Sequence, residues 1–88
     1  MSNQKNKPAA QIRDGAIKAS IWRNFGEKGT FYSVEITRTY TDAEGKYHDS
    51  HGFSGTELLQ VSVIAQQAYS LVAELRQQDA QDREQRAA

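Results

Sequence analysis

The junction Phe53-Ser54-Gly55-Thr56-Glu57-Leu58 constrains this 88-residue chain more than any other stretch. Ser54 and Glu57 form an S-x-x-E capping box, with Phe53 at N′ and Leu58 at N4 placed for a hydrophobic staple. Together they fix where a helix starts and the angle at which the chain enters it from the strand before. Reading outward from this anchor predicts an α+β fold. An antiparallel meander of three strands, or four, is followed by one long C-terminal helix, with flexible tails at both ends.

Upstream, Ile17, Ala19 and Ile21 alternate with Lys18, Ser20 and Trp22, the period-2 pattern of a half-buried strand over residues 16–25. Gly26-Glu27-Lys28-Gly29 is a hairpin turn, since it lacks the length and the G-K-[ST] ending of a phosphate loop. Residues 31–41 make the strongest strand, dense in β-branched and aromatic side chains. Tyr32, Val34 and Ile36 share one of its faces, and Phe31, Ser33, Glu35, Thr37 and Thr39 the other. Asp42-Ala43-Glu44-Gly45 is the next turn, and residues 46–53 the third strand. Ile12 and Arg13 belong to a fourth strand if residues 11–15 pair separately, with Gly15 as a bulge or bend.

The helix is expected from Gly55 to about Arg76. Leu58, Val61, Ala65, Ala68, Val72 and Leu75 follow 3-4 spacing, and Ile64 and Leu71 widen the stripe to roughly 140° of arc. Leu59 and Val63 sit apart from it, one turn from each other. They are either a second contact surface, suited to a dimer interface, or a pair of exposed aliphatics of the ordinary kind.

Residues 1–10 and 77–88 are polar and read as disordered tails, leaving one β-β-β-α domain over residues 11–76. At roughly 65 ordered residues a single core is marginal, and a symmetric homodimer is the common remedy. The chain has no cysteine, which excludes disulfides and thiolate metal sites. No apolar run approaches the ~20 residues of a membrane span, and the N-terminus lacks a secretory h-region. A cytoplasmic protein without a membrane partner is expected. Net charge is zero, from 11 basic and 11 acidic residues, whereas nucleic-acid binders are usually basic. The charges are uneven, however. Residues 1–28 carry Lys5, Lys7, Arg13, Lys18, Arg23 and Lys28 against Asp14 and Glu27, so a neutral total is compatible with a basic face.

Catalytic signatures are missing: there is no nucleophile elbow, phosphate loop, H-E-x-x-H or dinucleotide fingerprint. The expectation is a non-enzyme without a cofactor. His48, Asp49 and His51 do not predict a metal site, because histidines three apart on a strand point to opposite faces. Trp22 is the residue hardest to place in a core. If Ile17, Ala19 and Ile21 face the helix, Trp22 faces away with Lys18 and Ser20. An aromatic among cations is a platform on which bases stack while the cations neutralise phosphate. Arg23, Arg38 and Tyr40 lie near the same hairpin and are expected to extend it. The other reading packs Trp22 on Phe31 or on a dimer partner and leaves Lys18 solvated.

The stretch Ile36-Thr37-Arg38-Thr39-Tyr40-Thr41-Asp42-Ala43-Glu44-Gly45-Lys46, a short strand, Gly52-Phe53-Ser54 and a helix opening at Glu57-Leu58 together resemble the positive-cofactor-four type of transcriptional coactivator. The resemblance lies in the order of elements, the acidic-Gly hairpin and the strand-to-helix handover, over about residues 31–76. It implies a curved antiparallel sheet and helix that form a homodimer, bind single-stranded DNA and serve transcription or DNA metabolism. By position, Arg38, Tyr40, Lys46 and His48 match the strand region that carries the family's nucleic-acid contacts. The family's basic run between hairpin and helix is here Tyr47-His48-Asp49-Ser50-His51, with Lys46 alone as a full cation. Two functions follow as expectations. One is single-stranded DNA or RNA binding through Lys18, Trp22, Arg23, Arg38, Tyr40, Lys46 and His48. The other is a protein-interaction module without nucleic-acid binding.

Overall fold

The computed structural model of the protein describes residues 7–87, with side chains through Glu84. Four antiparallel strands lie in sequence order: β1 (Ala10–Asp14), β2 (Ile17–Gly26), β3 (Gly29–Thr41) and β4 (Tyr47–Ser50). A 3₁₀ turn at Gly55–Glu57 leads into a 30-residue helix, α1 (Leu58–Ala87). The meander therefore has its fourth strand. Asp14 pairs with Ile17 across the two-residue link Gly15-Ala16, and Gly15 takes φ +63°. A glycine in the left-handed region at the first turn position suits a tight hairpin, so Gly15 is a turn residue and not a bulge.

Register decides the faces. Ile17, Ala19 and Ile21 of β2 stand opposite Arg38, Ile36 and Val34 of β3, and opposite Asp14, Ile12 and Ala10 of β1. Helix α1 lies on that face, where Ile64 and Ala68 meet Ile17, Ala19 and Ile21 in the buried core. Ile12, Ile36, Phe53, Val61, Leu71 and Leu75 pack around it. Ala19 and Ala68 occupy the seam with little volume, which lets helix and sheet approach closely.

The capping box forms at Ser54, whose N–H donates to Glu57 Oε1 at 2.8 Å. The staple is only half realised, because Phe53 joins the core while Leu58 stays 57% exposed. The first turn is 3₁₀, with about three residues per turn in place of 3.6. The apolar stripe that faces the sheet is also offset from the expected one. It centres on Ile64, Ala68 and Leu75, and Ala65 is also exposed.

Both expected tails are shorter than their polarity suggested. Ala10 opens β1, and the Ala9 N–H donates to Ile21 O at 2.7 Å; residues 1–6 lie outside the described residues. At the other end the helix runs through Ala87 instead of stopping near Arg76. Gln, Ala, Glu and Arg are good helix formers, and Asp79 ties this segment to the sheet by accepting the Tyr32 hydroxyl at 2.6 Å. The absence of large apolar side chains marks a helix that projects past the core, not a tail.

With five buried apolar residues among the described residues, the seam should be sensitive to loss of any one. Ile64→Ala is expected to lower stability by about 2–5 kcal/mol. Tyr69→Ala, at a position 80% exposed, should change it by less than about 0.5 kcal/mol. Denaturant melts of the two variants check the orientation of the helix; equal effects would contradict it.

Candidate nucleic-acid interface

The face of the sheet opposite α1 carries Arg13, Lys18, Ser20, Trp22 and Asn24, with Phe31, Ser33, Glu35, Thr37, Thr39 and Asp49 from the later strands. Among the described residues no other element lies over it. Trp22 pairs with Ser33 and Asn24 with Phe31, so the two aromatic residues share this face, with the Phe31 ring lying over Gly26. Trp22 is half-buried and Phe31 is 54% exposed. Asn24 Nδ2 donates to Ser33 Oγ at 3.1 Å beside them, and Gln11 Nε2 donates to Ser20 Oγ at 3.2 Å. This is an aromatic and polar platform with balanced charge, since Arg13 and Lys18 share it with Glu35 and Asp49.

The structure does not bring the seven expected contact residues onto one surface. Lys18 and Trp22 lie on the open face. Arg23, Arg38, Tyr40 and His48 lie on the face that carries the helix, as the pairs Arg23–Tyr32, Ile17–Arg38 and Tyr40–His48 require. Lys46 is in the β3–β4 turn. The expected extension of the Trp22 platform by Arg23, Arg38 and Tyr40 is thus excluded by the alternation of the strand. Proximity along the hairpin does not overcome a one-residue change of face. Arg38, Tyr40 and His48 instead form their own stack. The Arg38 guanidinium is 5.5 Å from the Tyr40 ring centroid, and the Tyr40 and His48 rings are 5.3 Å apart at 26°.

Every cation of the expected set has a carboxylate beside it. Lys18 Nζ is 3.7 Å from Asp49, and Arg23 Nη2 is 3.4 Å from Asp79. Arg38 Nε is 3.4 Å from Glu57 and Lys46 Nζ is 4.0 Å from Glu44. His48 Nε2 is 2.7 Å from Asp42. The Asp42 carboxyl is held below its ordinary range by His48 first and then by the backbone N–H groups of the β3–β4 turn. Arg38 also donates to Gly52 O, so it braces the connection from β4 into the helix. Exposed pairs of this kind are worth only about 0–1 kcal/mol each. They leave the cations accessible but weaken the field a polyanion would meet. His48 and His51 are paired separately, to Asp42 and Glu35, and among the described residues no three potential ligands converge on a metal position.

Sequence reasoning missed the residues at the far end of the helix. Asp79 accepts from Tyr32 Oη and from Arg23 Nε and Nη2, at 2.6, 3.5 and 3.4 Å. Beside this cluster the β2–β3 hairpin and the last turns of α1 enclose a cleft of about 600 Å³ lined by Phe25, Lys28, Arg76, Asp82 and Arg83. The Arg23 guanidinium lies 4.9 Å from the Phe25 centroid. The only sequence signal was the i, i+3, i+7 spacing of Arg76, Asp79 and Arg83, which reads as a helix face once residues 77–87 are helical.

Comparison with protein-family models, with curated proteins and with solved structures finds no match to this chain. No described helix is long and apolar enough to cross a membrane.

The Tyr32–Asp79–Arg23 cluster makes the hold on the end of the helix pH-dependent. The Tyr32 hydrogen bond, first, and Arg23 keep the Asp79 carboxyl below its ordinary 3.8. Burial, and then Asp79, raise the Tyr32 hydroxyl above its ordinary 10.0. A lowered acid stabilises the fold above its unfolded pKa and loses that contribution as pH falls through the folded value; a raised one contributes below its unfolded pKa and loses it as pH rises through the folded value. The cluster should therefore hold fully between about pH 4 and pH 10 and release outside that window. Tyr32→Phe should speed amide exchange of residues 76–83 several-fold at pH 7 and leave residues 61–68 unchanged. Uniform exchange changes along the helix would count against a local clasp.

Proposed function

We propose that the chain binds single-stranded nucleic acid on the open face of its sheet, as a homodimer joined through the Leu59/Val63 side of its helix, in a cytoplasmic setting of transcription or DNA metabolism. The observation that carries this reading is that Trp22 and Phe31 share a sheet face that no described element covers. Base stacking on aromatic side chains of an open four-stranded sheet is a recurring mode of single-strand recognition. Arg13 and Lys18, cross-strand partners further along the same face, supply phosphate contacts. The arrangement of a meander followed by one helix is in keeping with the resemblance to the single-strand-binding coactivators. The dimer is supported by exposure: Leu59 is 79% and Val63 49% exposed, and Val63 borders a groove with Ile12 and Leu71 between the helix and the edge strand β1. With only five buried apolar residues among those described, the chain gains from covering Leu59 and Val63.

Titration of the Trp22 fluorescence with single-stranded oligonucleotides at low and at physiological salt tests the reading. Trp22→Ala, followed by anisotropy of labelled oligonucleotide, should weaken binding by about 1–3 kcal/mol. Because Lys18 is paired with Asp49, Asp49→Asn should tighten binding, and Lys18→Gln should flatten the salt slope by up to about 0.7. Unchanged affinity in both Trp22→Ala and Lys18→Gln would overturn the open-face reading. The pairing of every expected cation favours one alternative, a protein-docking role for the same face, which would show affinity indifferent to salt and no oligonucleotide binding.

Sedimentation at micromolar concentration should give about twice the monomer mass. The double variant Leu59→Glu/Val63→Glu, at exposed positions, should sediment as a folded monomer. A parent protein that is already monomeric would remove the dimer.

A further inference from the structure

We propose that the cleft between the β2–β3 hairpin and the last turns of α1 is a separate binding site for a nucleoside phosphate, either a free nucleotide or the phosphorylated end of a strand. The site lies on the helix side of the sheet and does not depend on the open-face reading. Three independent features converge on it. The first is charge. Arg23, Lys28, Arg76 and Arg83 line the cleft with Asp79 and Asp82 as the carboxylates, four cations against two anions and so an excess of two. A phosphate monoester carries about −1.5 to −2 at neutral pH, which matches that excess.

The second feature is availability. Arg23 is committed to Asp79, but among the described residues Lys28, Arg76 and Arg83 have no carboxylate within ion-pair distance. These are the cations left to meet a ligand, in contrast to the paired set elsewhere on the sheet. Basic side chains near a helix C-terminus also offset the helix dipole. That accounts for Arg83 at most, because Lys28 and Arg23 come from the hairpin. The third feature is the aromatic. Phe25 is 75% exposed at the end of β2, with Arg23 over one face of the ring at 4.9 Å, so a flat partner has the other face on which to lie. A cleft of about 600 Å³ is in the range that accepts a small ligand of this size. The Tyr32–Asp79 hydrogen bond holds its helical wall in place. The geometry assigns the phosphate to Lys28, Arg76 and Arg83, and the base to Phe25.

The experiment is a titration of the isotopically labelled full chain, read by amide chemical shifts, with adenosine 5′-monophosphate, adenosine and inorganic phosphate. The nucleotide should saturate shifts at Phe25, Lys28, Arg76 and Arg83, and bind at least about tenfold tighter than either fragment, as expected when stacking adds to the ionic contacts. Arg76→Gln/Arg83→Gln should weaken it about tenfold or more, and Phe25→Ala should reduce it to the level of phosphate. Trp22→Ala should leave it unchanged, which separates this site from the open face. Oligothymidylate with and without a 5′-phosphate distinguishes the sources. Phosphate-dependent shifts in the cleft identify a strand end, and indifference to that phosphate, with the nucleotide bound, identifies the free nucleotide. No saturable shift at these residues, or phosphate binding as tightly as the nucleotide, would overturn the proposal.

Discussion

Everything else in the structure hangs on the contact of Ile17, Ala19 and Ile21 with Ile64 and Ala68. These side chains are the whole of the fully buried apolar core, and they join the second strand to the middle of the helix. The contact sets which face of the sheet is covered, and alternation along each strand then assigns every other side chain. Trp22 becomes a surface residue because it follows Ile21, and Arg23 returns to the helix side because it follows Trp22. A core of this size stabilises modestly, so the helix is also held at its two ends by polar contacts. Ser54, Glu57 and Arg38 brace the start, and Tyr32, Asp79 and Arg23 brace the far end.

The same polar contacts bear on function. Zero net charge is spatially ordered in this molecule. The sheet and its β3–β4 turn pair Lys18, Arg23, Arg38, Lys46 and His48 with carboxylates, which weakens the field over the sheet. Among the described residues, the basic side chains Lys28, Arg76 and Arg83, which have no carboxylate partner, gather with Phe25 where the hairpin meets the end of the helix. Recognition by stacking is compatible with the first environment, and recognition of phosphate with the second. The two surfaces lie on opposite faces of one sheet and offer a ligand different chemistry.

The strands and turns were legible in the sequence because their signals are local. Ile17, Ala19 and Ile21 alternate, Gly45 sits where the third hairpin needs φ +83°, and Ser54 with Glu57 marks the helix start. The end of the helix was not legible. Residues 77–87 bury no large apolar side chain, and what docks them is a carboxylate reaching a tyrosine 47 residues away in sequence. The candidate site was legible only in part. Lys18 and Trp22 could be placed on the outer face by counting from Ile21. Grouping Arg23, Arg38 and Tyr40 with them followed nearness along the hairpin, and a pleated strand sends neighbours to opposite sides.

By itself the sequence determined the order of the elements, the turns that make the sheet antiparallel, and the point at which strand gives way to helix. Each of these depends on residues within a few positions of one another, through backbone freedom at glycine, side-chain alternation and capping. Tertiary structure alone decided which cations are paired, where the helix is fastened at its far end, and that a basic cleft forms around Phe25. Those outcomes depend on distances between residues far apart in the chain, such as Arg23 and Asp79. Such distances exist only once Ile64 and Ala68 have set the helix on the sheet.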